Sequence, residues 1–479
     1  MSTTNTNIKK VKAGLYGIGL ETYWAQFDGM LDRLQGYQQQ IREKMTSANT
    51  EVTDAGLVFT VEGAHQAAEL FRKNQVDVIF LYISTYSLSS IVLPVVQKVN
   101  VPVVVLNLQP AKAIDYNYIN NLGDRGKMTG EWLANCQACA VPEVASVFNK
   151  AGIKYDIVTG FLEDETAWTE IRDWTDAVYT AAVMRNNRVG LLGHYYCGML
   201  DVYTDLTAQS AAFGSHFEMV EMCELHKYRE ETSDKELEQK LAQFRSVFNV
   251  APECEQEELI RAAKTSIALD KLVNAHNLGS LAYYYEGTAG NPYENIITSV
   301  IAGNTLLTSY GVPVAGEYEV KNVQAMKIMD ALDAGGSFSE FYGMDFNDDI
   351  ILLGHDGPGH AVIAEEKIRL VPLPLYHGKP GKGLSIQMRV KNGPVTILSV
   401  CQDKGEKIKL LVAEGESVPG PILEIGNTNS RYKFSVSPKT FMETWSKAGP
   451  SHHCAIGTGH VAGKIEKLGR VLNLEVVRV

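Results

Sequence analysis

Hydrophobic positions fall into two regimes along the chain. Through roughly the first 340 residues, short apolar runs alternate with segments of helical spacing. Val11 to Gly19 reads as a strand ending in glycines, and Leu20 to Met45 then sets Met30, Leu31, Leu34 and Ile41 on one helical face. Val76 to Tyr82 and Val101 to Asn107 are continuous β-rich runs, the pattern of parallel strands buried on both faces. His65 to Lys73 and Ser89 to Val99 have helical spacing, so this part predicts an α/β domain with a parallel sheet. The alternation continues. Ile153 to Gly160, Asn187 to Gly193, Phe217 to Cys223, Ser280 to Gly287 and Val312 to Glu317 read as strands, separated by helical stretches such as Thr166 to Met184 and Lys235 to Phe248. A second doubly wound domain is the simplest reading.

From about Asp349 the strands lose their helices. ILLGH, IRLVPLPLY, GLSIQMRV, PVTILSV, KIKLLVAEG and RYKFSVS follow one another with turn signals such as KNGP. A helix at Pro438 to Ala448, another near Val461 to Gly469 and a strand in LNLEVVRV close the chain. The predicted fold is α/β, with two doubly wound parallel-sheet domains (residues 1–160 and 161–340) followed by a C-terminal antiparallel β-barrel-like domain (residues 341–479).

Composition narrows the function classes. Of 479 residues, 44 are Lys or Arg and 56 Asp or Glu, a net charge of −12 that disfavours nucleic acid or an anionic membrane as partner. Seven dispersed cysteines do not form a disulfide framework. Cys136 and Cys139 make one CxxC in a helical context, without the second pair a zinc site needs. The longest uncharged runs, Val78 to Gln97 and Asn295 to Gly316, are too polar for a bilayer core, and no signal peptide is visible. A cytoplasmic location is expected.

Candidate chemistry gathers at strand ends. Glu286 closes AYYYEG and Glu317 closes VPVAGE, one helix later. Ligands of open α/β sheets bind beyond the carboxyl ends of the strands. An acid there is equally welcome as a cap for the next helix. His355 follows the strand ILLGH in the Gly-rich turn GHDGPGH, and His452 and His453 lie in the loop GPSHHC. Two carboxylates and two imidazoles without thiolates suit Mn²⁺, with Co²⁺, Fe²⁺ or Mg²⁺ as alternatives, rather than structural zinc. HGKPGKG (His377 to Gly383) lacks the GK[ST] ending and precedes a strand, so it is not read as a phosphate loop. His360 and His460 read as supporting or structural histidines.

In the order of these segments the chain resembles the L-arabinose isomerases, within the arabinose/fucose isomerase superfamily. GLYGIGLETYW, AYYYEG, PVAGEYEVKNVQAMKIM, NDDIILLGHDGPGHAVIAEEK and GPSHHCAIGTGH carry the likeness, most closely between Ser280 and Gly381 and around Ser451 to His460. The resemblance implies a metal held by Glu286, Glu317, His355 and His453, with both glutamates also serving as catalytic acid/base groups. It implies substrate contacts from Gln109, Met199 and His453. It implies a homo-oligomer, hexamer or tetramer, with active sites at subunit contacts. The expected activity is interconversion of a free aldose, an L-arabinose-like pentose or a related hexose or deoxy sugar, with its ketose through a cis-enediol. A non-catalytic sugar-binding protein and a metal-dependent sugar epimerase are the alternatives. The family's Gln-His-Leu-Tyr-Gly-type stretch after the first strand is replaced here by Gly-Ile-Gly-Leu-Glu-Thr-Tyr-Trp, which leaves the sugar open.

Overall fold

The computed structural model describes residues 10–47, 49–286, 290–376, 379–405 and 407–479. The chain divides after Tyr179 into two compact units. In the first, β1 (Val11–Ile18), β2 (Thr50–Val58), β3 (Val78–Ile83), β4 (Val103–Gln109) and β5 (Tyr155–Phe161) form a parallel sheet in the order β2-β1-β3-β4-β5. β3 is buried along its whole length, as its unbroken apolar run requires. β2 (TEVTDAGLV) lies at the sheet edge and is mostly half-buried, so no apolar run marked it. The helix expected over Leu20 to Met45 is broken into Thr22–Gln26 and Met30–Met45. Gly29, at φ 74°, makes the break, a conformation most side chains avoid. The CxxC straddles a helix junction instead of sitting inside one helix. Buried Cys136 caps the helix Gln137–Ala151, while Cys139 is exposed. Burial foremost, and the neighbouring Cys139 thiol, push the Cys136 thiol up to about 12, which disfavours the reactive thiolate.

The second unit carries a smaller parallel sheet of β6 (Arg188–Gly193), β7 (His216–Val220), β9 (Ser280–Tyr284) and β10 (Val314–Ala315), in the order β10-β9-β6-β7. The short β8 (Asn249–Val250) pairs elsewhere, with β13 below. The expected strand at Phe217 to Cys223 stops at Val220, and a helix begins at Met222. An antiparallel barrel follows, starting earlier than the apolar pattern indicated. Its first strand is β11 (Gly335–Asp345), and its second is β12 (Ile350–His355). The insertion strands β13 (Arg369–Pro372), β14 (Leu375–Tyr376), β15 (Lys379–Pro380) and β16 (Leu384–Gln387) lie beside it. His377 and Gly378 of the HGKPGKG segment fall outside the described residues. β17 (Gly393–Gln402), β18 (Ile408–Val418), β19 (Thr428–Phe434) and β20 (His453–Thr458) complete the wall. The closed order is β17-β20-β11-β12-β19-β18, with β17 and β18 paired, and β21 (Glu475–Arg478) adds to β18. The architecture is therefore α/β with two parallel sheets and a closed six-stranded antiparallel barrel.

One helix ties the second sheet to the barrel. Val320–Ala331 packs against β9 and β10 and also against β11, β17 and β20. It is buried from Val320 through Met329 despite carrying Lys321, Asn322, Gln324 and Lys327. Each of these polar side chains finds a partner: Asp201 O, Cys454 O, the Ser215 hydroxyl, and Gly311 O with Asp330. No helix among the described residues is long and apolar enough to cross a membrane.

Candidate metal centre

The site starts from a turn that ordinary residues resist. After β10 and Gly316, both Glu317 and Tyr318 adopt left-handed backbone, at φ 55° and 59°. A non-glycine residue held there costs about 1–3 kcal/mol, and such strain collects at functional sites. Two backbone hydrogen bonds hold the turn: Tyr318 N to Tyr283 O at 3.2 Å and Glu319 N to Gly316 O at 2.9 Å. The Tyr318 ring lies edge-on to Tyr195, with centroids 4.9 Å apart. The turn leads directly into the helix Val320–Ala331, whose contacts carry it against the barrel.

The barrel supplies the imidazoles. His355 ends β12, where its backbone N–H donates to the Thr428 hydroxyl and its carbonyl accepts from it, both at 2.9 Å. Gly354 has to be glycine, because a Cβ there would sit 1.9 Å from the Thr428 carbonyl oxygen. His453 opens β20 and pairs across the ladder with Glu340 of β11. Phe338, fully buried on β11, fills the space between the histidines, with its ring centroid 4.3 Å from His355 and 4.4 Å from His453.

These elements converge. Glu317 Oε2 lies 3.4 Å from His453 Nε2, and Glu317 Oε1 lies 3.9 Å from His355 Nε2. His452 Nε2 lies 3.7 Å from Glu317 Oε2 and 4.0 Å from Glu340 Oε2. Two overlapping groups result, Glu317 with His355 and His453, and Glu340 with His452 and His453. Within each, the candidate ligand atoms lie within 4.8 Å of one another. Glu317 Oε2 and His453 Nε2 are buried without a hydrogen-bond partner among the described residues. Two such groups turned toward each other are costly without a proton or a cation between them. One carboxylate and two imidazoles fit a divalent cation of intermediate hardness. His452 is held up to about 9, by the nearby Glu317 carboxylate first and by its hydrogen bond with Asp201 next, against the opposing effect of burial.

A cavity of about 220 Å³ opens beside the cluster. Met199, Tyr196, Tyr284, Asn304, Glu340 and Asp356 line it together with Glu317, His355 and His452. Its walls are thus partly aromatic, with polar groups from the barrel and from Asn304 and Glu317.

Of the residues singled out from the sequence, the structure brings Glu317, His355 and His453 together and puts Met199 in the cavity wall. Glu286 does not join either group. It is exposed, two residues past β9, and accepts a hydrogen bond from Tyr284 at 3.1 Å. Its neighbours 287–289 lie outside the described residues. Gln109 ends β4 in the first unit. His360 is buried, and neither ring nitrogen has a hydrogen-bond partner among the described residues. A ring nitrogen of His460 bonds the Gly415 carbonyl at 3.1 Å. Sequence reasoning missed Asp201, Glu319 and Glu340. Glu319 sits two residues past Glu317 and reads there as an ordinary helix cap, while Glu340 and Asp201 gain meaning only from the pairing of distant segments.

The likeness to known proteins follows the same segments. The family model described as the L-arabinose isomerase C-terminal domain matches residues 335–475, from the start of the first barrel strand to the start of β21. Similar curated proteins include the L-arabinose isomerases of Bifidobacterium longum (strain DJO10A) and Flavobacterium johnsoniae, each 21% identical over 70% of this chain and 68% of their own length. The L-arabinose isomerase of Aeromonas salmonicida is 20% identical over 67% of this chain and 66% of its own length. The barrel part of the chain is thus similar to the C-terminal domain of L-arabinose isomerases, and the likeness to whole L-arabinose isomerases extends, at about one residue in five, over more than the barrel.

Proposed function

We propose that the protein is a metal-dependent aldose–ketose isomerase acting on a free monosaccharide. The observation that carries this reading is the convergence of Glu317, His355 and His453 on one point beside a cavity. The likeness to L-arabinose isomerases supports the reaction class. The cavity, about 220 Å³, is smaller than the about 300–1,000 Å³ typical of drug-sized ligands. That size suits a pentose or hexose.

Glu317, His355 and His453 would hold the cation, with Mn²⁺ the first choice. Such an ion would polarise adjacent sugar oxygens and offset the charge that grows on them as a carbon-bound proton leaves. The chain's residues do the rest. An aldose and its ketose differ by one proton moved between C1 and C2 and one moved between their oxygens. Glu317, with the imidazoles of His355 and His453 on one side and the cavity on the other, can take the carbon proton and return it to the neighbouring carbon. Glu286 is proposed as the second acid–base carboxylate, since Tyr284, which bonds it, also lines the cavity. Met199, in the cavity wall, and Gln109 are proposed sugar contacts. The aromatic wall excludes water, which strengthens the remaining electrostatic interactions. We further propose that the chain works as a homo-oligomer.

The test is dialysis against EDTA, then Mn²⁺ add-back with a panel of free pentoses, hexoses and deoxy sugars, scored by ketose formation. The expected result is turnover that requires the metal and falls by about 100-fold or more in Glu317→Gln. Turnover indifferent to metal, or intact in Glu317→Gln, contradicts the reading.

A further inference from the structure

His452 and His453 are adjacent in sequence, yet each imidazole is gripped at Nδ1 by a carboxylate of its own. Asp201 Oδ2 accepts from His452 Nδ1 at 2.6 Å and from the His452 backbone N–H at 3.0 Å. Glu319 Oε2 lies within hydrogen-bond distance of His453 Nδ1, at 3.4 Å. With both Nδ1 atoms committed, the two Nε2 atoms face one target, Glu317 Oε2, at 3.7 Å from His452 and 3.4 Å from His453. A carboxylate on the far nitrogen of a histidine fixes which nitrogen is presented and how the ring is turned.

The two grips differ in setting. Glu319 and His453 are both completely buried, and Phe338 presses on the His453 ring. Glu319 comes from the strained turn itself, two residues after Glu317. Asp201 and His452 are part-exposed, and His452 lines the cavity. Asp201 lies two residues beyond Met199, and its backbone carbonyl accepts from the buried ammonium of Lys321 on the helix Val320–Ala331. The loop that carries Asp201 is thereby tied to the element that carries the turn.

We propose that Glu319 and Asp201 are positioning residues with separate tasks. Glu319 aims His453 at the cation, and Asp201 aims His452 at the sugar. Neither touches a reacting atom. This inference rests on the isomerase reading for its sugar arm and on the metal-dependent part of that reading for its cation arm.

The experiment measures Mn²⁺ binding by calorimetry on EDTA-treated protein, then kcat and KM on the sugar that the panel identifies. Glu319→Leu and Glu319→Gln are expected to weaken Mn²⁺ binding by about 10–100-fold, Gln toward the low end. Circular dichroism checks folding, and the Gln variant serves if Leu does not fold. Asp201→Ala is expected to bind Mn²⁺ like the wild type and to lose about 100-fold in kcat/KM through misplacement of His452. Asp201→Asn, which keeps an acceptor, restores most of that loss. Folded Glu319 variants with wild-type Mn²⁺ affinity overturn the cation arm. Weakened Mn²⁺ binding in Asp201→Ala makes His452 an ion ligand with Glu340 and overturns the division of tasks, and undiminished kcat/KM overturns the sugar arm. A wild type that binds no Mn²⁺ fails at a different point, contradicting the metal-dependent reading itself.

Discussion

Phe338 offers a test of how the imidazoles are held. Its ring is fully buried between His355 and His453, and a side chain at Gly316 would meet it at 3.3 Å, so the space is already filled. Phe338→Leu keeps an apolar side chain but gives up two aromatic contacts, each worth about 0.5–1.5 kcal/mol. The expected loss is therefore about 1–3 kcal/mol. Phe338→Ala also leaves a cavity, for a loss of about 3–5 kcal/mol. At about 2 °C per kcal/mol for a large domain, these become Tm decreases of about 2–6 °C and about 6–10 °C. Differential scanning calorimetry on EDTA-treated protein measures both. The more telling readout is Mn²⁺ affinity in Phe338→Leu. If the ring fixes both histidines, affinity falls by about tenfold although the protein stays folded. Wild-type Mn²⁺ affinity alongside a lowered Tm would show that Phe338 only fills the core, and that the histidines need no wedge.

Gly354→Ala places a methyl group on the backbone of Thr428 and Asn429, so β12 has to shift from β19. The cost is expected at or above the upper end of about 1–3 kcal/mol for overpacking, with Mn²⁺ affinity lost alongside, because His355 is the next residue. Ser233 and Glu236 form a reciprocal cap on the helix Asp234–Val247, and Ser233→Ala should cost about 1 kcal/mol at neutral pH. Glu236 is held down to about 2, by Lys271 first and then by the Ser233 backbone N–H and hydroxyl. Its contribution is therefore fully present above the unfolded value of about 4.3 and is lost as pH falls toward 2. The Ser233→Ala penalty, followed by chemical denaturation across that window, should shrink in acid, and a penalty that grows there contradicts the assignment. Mn²⁺ at 100 times its Kd should stabilise the wild type by about 2.7 kcal/mol, and Glu317→Gln by far less.

Much of the fold can be read along the chain, for local reasons. The apolar runs of β3 and β4 announce buried parallel strands because both of their faces are covered. β11 (GGSFSEFYGMD) announces nothing, because its glycines and serines are buried only once the barrel closes around them. The helix Val320–Ala331 misleads in the opposite sense. Its lysines and amides look like a solvated face, yet each is buried against a partner from another segment. At the site, Glu317 and His355 were legible as polar residues ending apolar strands, and His453 as half of a histidine pair. The left-handed turn at Glu317 and Tyr318 was not, since neither residue type favours it. Asp201 could not be found either, because 251 residues separate it from the histidine it holds.

The central claim is that Glu317 carries a proton between neighbouring carbons of a free sugar at the metal centre. Incubation of the Mn²⁺-loaded protein with its aldose in D₂O, followed by NMR, tests it most directly. Proton transfer through an enediol predicts solvent deuterium at C1 of the ketose and at C2 of the recovered aldose, with both signals lost in Glu317→Gln. Ketose formed without any solvent deuterium, or labelled equally well by the Glu317→Gln variant, would contradict the account.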